Sequence, residues 1–143
     1  MSERIETTAI RNLIHNEEYC RKVLPFIKEE YFTDRLEKLI FTEIYQFVNK
    51  YNNLPTKESL SIEMNTNKGV SEGEYKKMNE IISSLNPEPI NLDWLVETTE
   101  TWCKDRAIHN AILGGIQIID GKDKDHTPEY LPEMLSEALS VSF

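Results

Sequence analysis

Sulfur and imidazole side chains are the first candidates for chemistry in this sequence, because thiolates and neutral imidazoles bind zinc and act as nucleophiles. The chain has two cysteines, Cys20 and Cys103, and three histidines, His15, His109 and His126. No two of them stand at zinc-finger spacing, and both cysteines lie among apolar residues with helical periodicity. We therefore expect packed thiols and surface or interface histidines, with no metal site.

The segment between Gly115 and Asp123 is the nearest match to a phosphate-binding loop. Such a loop needs a glycine, four residues, and then glycine, lysine and a serine or threonine that helps to hold magnesium. Here five residues separate Gly115 from Gly121 and Lys122, and Asp123 stands at the hydroxyl position. The segment also ends a helical pattern instead of following a strand, so we reject a nucleotide site.

Three aspartates in the same stretch suggest a calcium loop as an alternative. Asp120, Asp123 and Asp125 are suitable ligands, but the glycine at the sixth position of such a loop is missing. Met134 also stands where a bidentate glutamate would complete the site. We favour a solvated reversal loop.

Adjacent carboxylates at 17–18 and 29–30 are the remaining acid–base candidates. Neighbours on a helix point about 100° apart, so neither pair can act as a dyad. A small carboxylate-based hydrolase would need a convergent metal site that this spacing does not supply. The sequence thus predicts no catalytic residue and no metal ligand, and a divalent-metal titration should give no calorimetric signal.

Composition and charge narrow the class of protein further. The 143 residues include 16 basic and 25 acidic side chains, which give a net charge of −9, and 39% of the residues are apolar. No third of the chain is net positive, whereas duplex-binding modules neutralise phosphates with a basic face. No apolar run is long enough to span a membrane, and two cysteines are too few for a disulfide framework. We expect one cytoplasmic domain, with or without an appendage, that holds DNA loosely at most.

Apolar residues recur at the 3.6-residue period of a helix through nearly the whole chain, which predicts an all-α fold. Helices are expected over about 5–14, 17–27, 34–51 and 92–120, with two short ones in between and a last one that starts near Pro128. The expected start positions, marked by capping residues, are Asn16, Thr33, Thr56, Ser71, Asn91 and Thr127.

The clearest break in the pattern is Asn86-Pro87-Glu88-Pro89. We place a domain boundary there, with a compact helical globule over 1–88 and a long antiparallel helical hairpin over 89–143. At 1.5 Å per residue the long helix would extend roughly 40 Å, so its far half should project from the globule. Residues 121–126 form the polar loop of the hairpin.

Two stripes of side chains mark the long helix. Small residues at every fourth position, which are Ala107, Ala111 and Gly115, should let the last helix pack closely through Leu135 and Leu139. The second stripe consists of Ile108, Ile112, Ile116 and Ile119. One short helix cannot cover both stripes, so the second is covered either by the globule or by another copy of the chain. We favour another copy, because a bare isoleucine face would promote aggregation.

The two tryptophans, Trp94 and Trp102, stand eight residues apart on the long helix. Aromatic residues at that spacing are usually core or interface anchors. Base stacking is the least favoured role, because few basic residues lie nearby. We favour the core, with contact between copies as the alternative, and we include Trp102 with the second stripe as a candidate for that contact.

Eight segments in chain order carry a resemblance to a known family, and they are 12–19, 22–26, 30–32, 41–45, 48–56, 93–100, 105–111 and 138–143. Together they resemble the amino-terminal domain of the DnaB-type replicative helicases of T-even-type bacteriophages. The resemblance covers essentially the whole chain, and the ordered set is more specific than any one segment.

The resemblance implies a function in DNA replication. In that family a helical globule and hairpin pair with a neighbour, and six copies build a collar of three dimers. The collar surrounds single-stranded DNA loosely and helps to dock the primase, and the family works with a helicase loader. ATP and magnesium belong to a motor domain that moves 5′ to 3′ along DNA. No motor is present here, so this chain should hold no cofactor. It should end at the linker to that domain and act in the cytoplasm of an infected bacterium.

A second hypothesis is a free-standing phage protein that borrows the collar fold to regulate or inhibit a host replicative helicase. A stop codon directly after Phe143 would favour this hypothesis. An open reading frame that continues into a phosphate loop would exclude it.

Overall fold

The fold was analysed in a computed structural model that describes residues 4–67 and 69–143. Within these ranges the chain is built from α-helices and short 3-10 turns, with no strand, which confirms the all-α prediction. The helices are α1 (Ile5–His15), α2 (Glu17–Val23), α3 (Arg35–Tyr51), α4 (Lys57–Asn65), α5 (Glu72–Ser84), α6 (Leu92–Ile119) and α7 (Leu131–Leu139).

Side-chain caps start most of these helices where the sequence predicts them. A side-chain oxygen accepts a hydrogen bond from the backbone N–H three residues ahead at Asn16, Thr56, Ser71 and Asn91. The predicted cap of α3 is wrong by one residue, because Asp34 accepts from the N–H of Glu37 instead of Thr33. Thr127 makes no capping hydrogen bond, and a 3-10 turn over Pro128–Tyr130 precedes α7.

The second helix is shorter than the period suggests. It ends at Val23, and a 3-10 turn over Leu24–Phe26 follows. Pro25 in this turn has no N–H to donate, so it cannot continue the α-helical hydrogen bonds. A second 3-10 turn covers Glu29–Tyr31 and leads the chain into α3.

The core is formed by α1 to α5 together with the first half of α6. On α6 the side chains of Leu95, Thr99, Trp102 and Cys103 are buried. The largest fully buried side chains are Tyr19, Phe32, Ile10, Leu13, Ile40, Ile44, Leu60, Met64, Met78, Ile82, Leu85 and Leu95. The division into 1–88 and 89–143 remains a prediction, and the first half of α6 packs on the helices that precede the proposed boundary.

The second half of α6 pairs with α7 as an antiparallel hairpin. Gly115 lies against Leu131 at the start of α7, and Gly114 lies against Met134 one turn later. Ala138, near the end of α7, is buried beside Ala107 and Ala111. The order of contacts therefore runs in opposite directions along the two helices. In the part of the chain that is described, no helix is long and apolar enough to cross a membrane.

Candidate functional site

The cysteines, the first candidates for chemistry, are both buried in the helical core. Burial raises the pKa of the Cys20 thiol to about 11 and that of Cys103 to about 12. Both thiols are therefore protonated at neutral pH, and a protonated thiol is neither a good nucleophile nor a good metal ligand. Residues 4–67 and 69–143 contain no cluster of three or more histidine, cysteine, aspartate or glutamate side chains arranged to hold a metal ion.

The residues of the rejected phosphate and calcium loops form the reversal between α6 and α7. Gly121 has a φ of +74°, a left-handed conformation that glycine adopts without strain. Asp123 Oδ1 accepts the backbone N–H groups of Asp125 and His126, and its Oδ2 lies 2.9 Å from His126 Nδ1. These hydrogen bonds, that from the N–H of Asp125 above all, lower the pKa of Asp123.

Three residues of the predicted second stripe are exposed, and we call Ile112, Ile116 and Ile119 the isoleucine ridge. Their exposed fractions are 52%, 46% and 68%. They stand at i, i+4 and i+7 on α6, so they share one face of the helix. Leu113 beside them is 50% exposed, and the sequence analysis did not identify it. Ile108, the fourth member of the stripe, is half-buried.

The assignment of Trp102 to a contact between copies is wrong. Trp102 is only 8% exposed, and its ring meets Phe32 edge-on at a centroid distance of 5.1 Å and Tyr31 at 6.2 Å. The favoured core role holds for this residue, because Trp102 is buried against the rings of Tyr31 and Phe32. The assignment grouped Trp102 with the second stripe of α6. The side chains of that group are buried near Trp102 and exposed near Ile112 and Ile116.

The hairpin brings together the small residues that the sequence singled out. Ala107, Ala111 and Gly115 are buried against α7. On α7, however, the side chains that meet them include Leu131, Met134 and Ala138. Leu139 is 71% exposed, so its assignment as a residue that closes the hairpin is wrong, whereas the assignment of Leu135, which is 40% exposed, stays a prediction. Leu131, Met134 and Ala138 share the apolar stripe of α7 with Leu135 and Leu139, and they form the edge of that stripe that faces α6.

Two polar residues that the sequence analysis overlooked fix the hairpin to the globule. Arg106 Nε donates to the carbonyl of Tyr31 at 3.0 Å, and Asn110 Nδ2 donates to the carbonyl of Glu30 at 3.0 Å. Arg106 also donates to the side-chain oxygen of Asn110. Their spacing of four residues, which places both on one face of α6, is the signal that the sequence offers.

Comparison with known proteins identifies a related helicase. The chain is 31% identical over 142 residues to a DnaB-like replicative helicase of Enterobacteria phage T4. The chain is related to the DnaB-like replicative helicases. The alignment covers 94% of the chain but only 30% of the T4 helicase, which is consistent with one domain of a larger protein. No protein-family model matches the chain.

The resemblance to a phage replicative helicase is thereby confirmed, and it supports a relation to DNA replication. The distinctive surface feature of the described residues lies on α6. The isoleucine ridge and Leu113 lie between residues 107 and 119, a stretch without any aspartate, glutamate, lysine or arginine.

Trp94 is the other tryptophan of α6. Its exposed fraction is 53%, so the favoured core role is wrong for this residue. It stands in the first turn of α6, where Asn91 caps the helix by accepting the N–H of Trp94. Its neighbours Asp93 and Glu97 are acidic, which argues against stacking on nucleic acid bases.

Proposed function

We propose that the chain is an assembly domain of a phage replicative helicase and that its hairpin joins copies of the chain. The observation that carries the proposal is the exposed isoleucine ridge on α6. In a soluble protein, contiguous exposed apolar side chains usually mark an interaction surface. The relation to a DnaB-like replicative helicase supports replication as the setting.

The composition of the ridge favours a protein partner. Residues 107–119 carry no aspartate, glutamate, lysine or arginine, and the cores of protein interfaces are depleted of charge. Full burial of an isoleucine is worth about 1.5–3 kcal/mol, so covering three half-exposed ones contributes roughly 3 kcal/mol. That gain is modest against the cost of association, so Leu113 and further contacts would have to contribute as well.

A second copy is the partner that we favour. In an isologous dimer the same surface on both chains is buried, so one apolar, uncharged ridge is complementary to another. The globule of the same chain does not cover the ridge, because the ridge is exposed while α7 covers the neighbouring face of α6.

The wider assembly is part of the proposal. Pairs of chains would build a six-membered collar, and its outer surface would dock a primase and a helicase loader. The net charge of −9 supports a collar that surrounds single-stranded DNA without gripping it. ATP and magnesium would be bound by a motor domain outside this chain.

The double variant Ile112→Asp, Ile116→Asp tests the proposal, with mass measured by light scattering over a wide range of concentration. We expect the wild type to exceed the mass of one chain as concentration rises and the double variant to remain a single folded chain. Ile62→Asp is the matched control, because Ile62 is 59% exposed on α4, away from the hairpin. A wild type that stays a single chain throughout would contradict the proposal, as would a double variant of unchanged mass.

The regulator hypothesis predicts a different result in the same experiment. A free-standing inhibitor would bind a host replicative helicase instead of its own copies. Co-sedimentation with that host helicase by a wild type that does not self-associate would favour the regulator.

A further inference from the structure

The segment after α7 folds back onto the globule, and we call residues 141–143 the strap. The ring of Phe143 stacks on the ring of Phe26 with a centroid distance of 4.9 Å and an interplanar angle of 19°. The backbone N–H of Phe143 donates to Glu100 Oε2 at 2.7 Å. The strap therefore joins three parts of the fold, which are α7, the first half of α6 and the 3-10 turn that contains Phe26.

The middle of the strap also contacts the base of the hairpin. Val141 is half-buried, and it lines a shallow cavity together with Tyr31, Ala107, Ala111 and Ala138. This cavity lies where α6, α7 and the globule meet. The strap thus adds to the packing of α7 against α6 at the base of the hairpin.

The helix that the strap follows is weak by itself. It has nine residues, no side-chain cap at its start, and Ala138 as its single buried residue in the structure. Isolated helices shorter than about 12 residues are marginal in water, so α7 depends on contacts outside itself. At its start it is tethered by the reversal loop, and after its end it is tethered by the strap.

The contacts of the strap suit a latch that opens and closes. The Phe26 ring remains 40% exposed even with Phe143 stacked on it, so the pair lies at the surface and is accessible. Stacked aromatic pairs contribute modestly beyond the area they bury, and a single hydrogen bond to a carboxylate completes the attachment. Such a contact can be released without unfolding the core.

We propose that the strap is a conformational latch that holds α7 against α6 and so maintains the surface for self-association. With the latch closed, α7 covers the small residues of α6 and the isoleucine ridge is held on an ordered helix. With the latch open, α7 detaches, and the second half of α6 loses its packing partner. The link to association rests on the proposed function, whereas the attachment of α7 does not.

Hydrogen exchange measured by mass spectrometry tests the latch in Phe143→Ala and Phe26→Ala. Amides of 131–139 should exchange at least fivefold faster in both variants, whereas amides of α3 should keep their wild-type rates. Phe143→Tyr keeps the stacked ring and should exchange like the wild type. The double variant should exchange no faster than either single one, because both remove the same contact.

Two results of the exchange experiment would overturn the latch. One is wild-type exchange in α7 after loss of either ring, and the other is an equal rise in α3, which would mean general destabilisation. Light scattering then tests the link between the latch and self-association. We expect Phe143→Ala to weaken the self-association of the chain at least fivefold. If α7 detaches in Phe143→Ala but association is undiminished, the link between the latch and association is refuted and the latch itself is not. If the wild type never associates, the proposed function is refuted, and the hydrogen-exchange data alone decide whether the latch exists.

Discussion

The hydroxyl oxygen of Tyr19 lies 2.7 Å from the hydroxyl oxygen of Thr99, and both side chains are fully buried. Thr99 also lies 2.7 Å from the carbonyl oxygen of Leu95, to which it donates. Because Thr99 has one hydroxyl proton, Tyr19 must be the donor in the bond between the two side chains. This chain of hydrogen bonds fastens α2 to α6, the helix that carries the isoleucine ridge.

The direction of these bonds predicts unequal costs for two substitutions. Thr99→Val leaves the Tyr19 hydroxyl buried without an acceptor and should lower the free energy of unfolding by about 1–3 kcal/mol. Tyr19→Phe removes the donor but leaves Thr99 bonded to Leu95, and it should cost only about 0.5–1.5 kcal/mol. Urea denaturation of both variants provides the comparison. A larger loss in Tyr19→Phe than in Thr99→Val would refute the assigned direction.

The adjacent glycines of α6 should respond differently to alanine. A methyl group at Gly114 would lie 3.6 Å from the side chain of Met134, an ordinary contact, so Gly114→Ala should stabilise by up to about 1 kcal/mol through helix propensity. At Gly115 the added carbon would lie 3.2 Å from Leu131 Cδ2, and Leu131 would have to move. Gly115→Ala should therefore gain less than Gly114→Ala or lose stability. Thermal unfolding of the two variants measures this difference in stability. Equal gains in stability would show that α7 does not pack closely against Gly115.

The pair Arg106 and Asn110 should anchor the hairpin to the 3-10 turn over Glu29–Tyr31. Asn110→Ala removes the bond to the carbonyl of Glu30 and should cost about 1 kcal/mol. Arg106→Ala should cost more, because its guanidinium binds both the carbonyl of Tyr31 and Asn110. In the double variant the two losses should not add, since the residues are bonded to each other. A double-mutant cycle in urea measures the coupling, and additive losses would contradict a shared anchor.

Burial of the thiols predicts that stability declines at alkaline pH. The unfolded chain loses its thiol protons near pH 8.5, whereas burial raises the pKa of Cys20 to about 11 and of Cys103 to about 12 in the folded chain. Stability is therefore full below about pH 8.5 and falls as pH rises toward those folded values. Burial also raises the pKa of Tyr19 and Tyr31, which extends the decline above about pH 10.

Urea unfolding at a series of pH values from neutral to alkaline measures this decline. The variant Cys20→Ala, Cys103→Ala should be less stable at neutral pH but should lose little further stability between about pH 8.5 and 10. An identical slope in the wild type and this variant would contradict the assignment to the thiols. Both native thiols should also be inert to maleimides until the protein unfolds.

The sequence predicts what depends on local interactions. Capping at Asn16, Thr56 and Ser71 and the bounds of α6 follow from residues within one turn, so periodicity and cap chemistry suffice. By the same logic the spacing of Ile112 and Ile116 places them on one face of α6, but it leaves open whether the globule covers that face.

What the sequence could not supply is the rotation of each helix against its neighbours. Trp94 and Leu139 lie in solvent instead of in the core and at the hairpin contact, because a shift of one residue turns a side chain by about 100°. The bonds of Arg106 to Tyr31 and of Phe143 to Glu100 join residues 75 and 43 positions apart. No local pattern encodes such pairs.

Cross-linking at the isoleucine ridge tests the central claim most directly. Because the native cysteines are buried, a short bismaleimide will react only with an introduced cysteine, and residues near a two-fold axis lie opposite their own copies. Ile116→Cys should give covalent dimers under native conditions, whereas Ile62→Cys, exposed on α4, should give almost none. Equal yields from the two variants, or no dimer from Ile116→Cys, would contradict self-association through the hairpin.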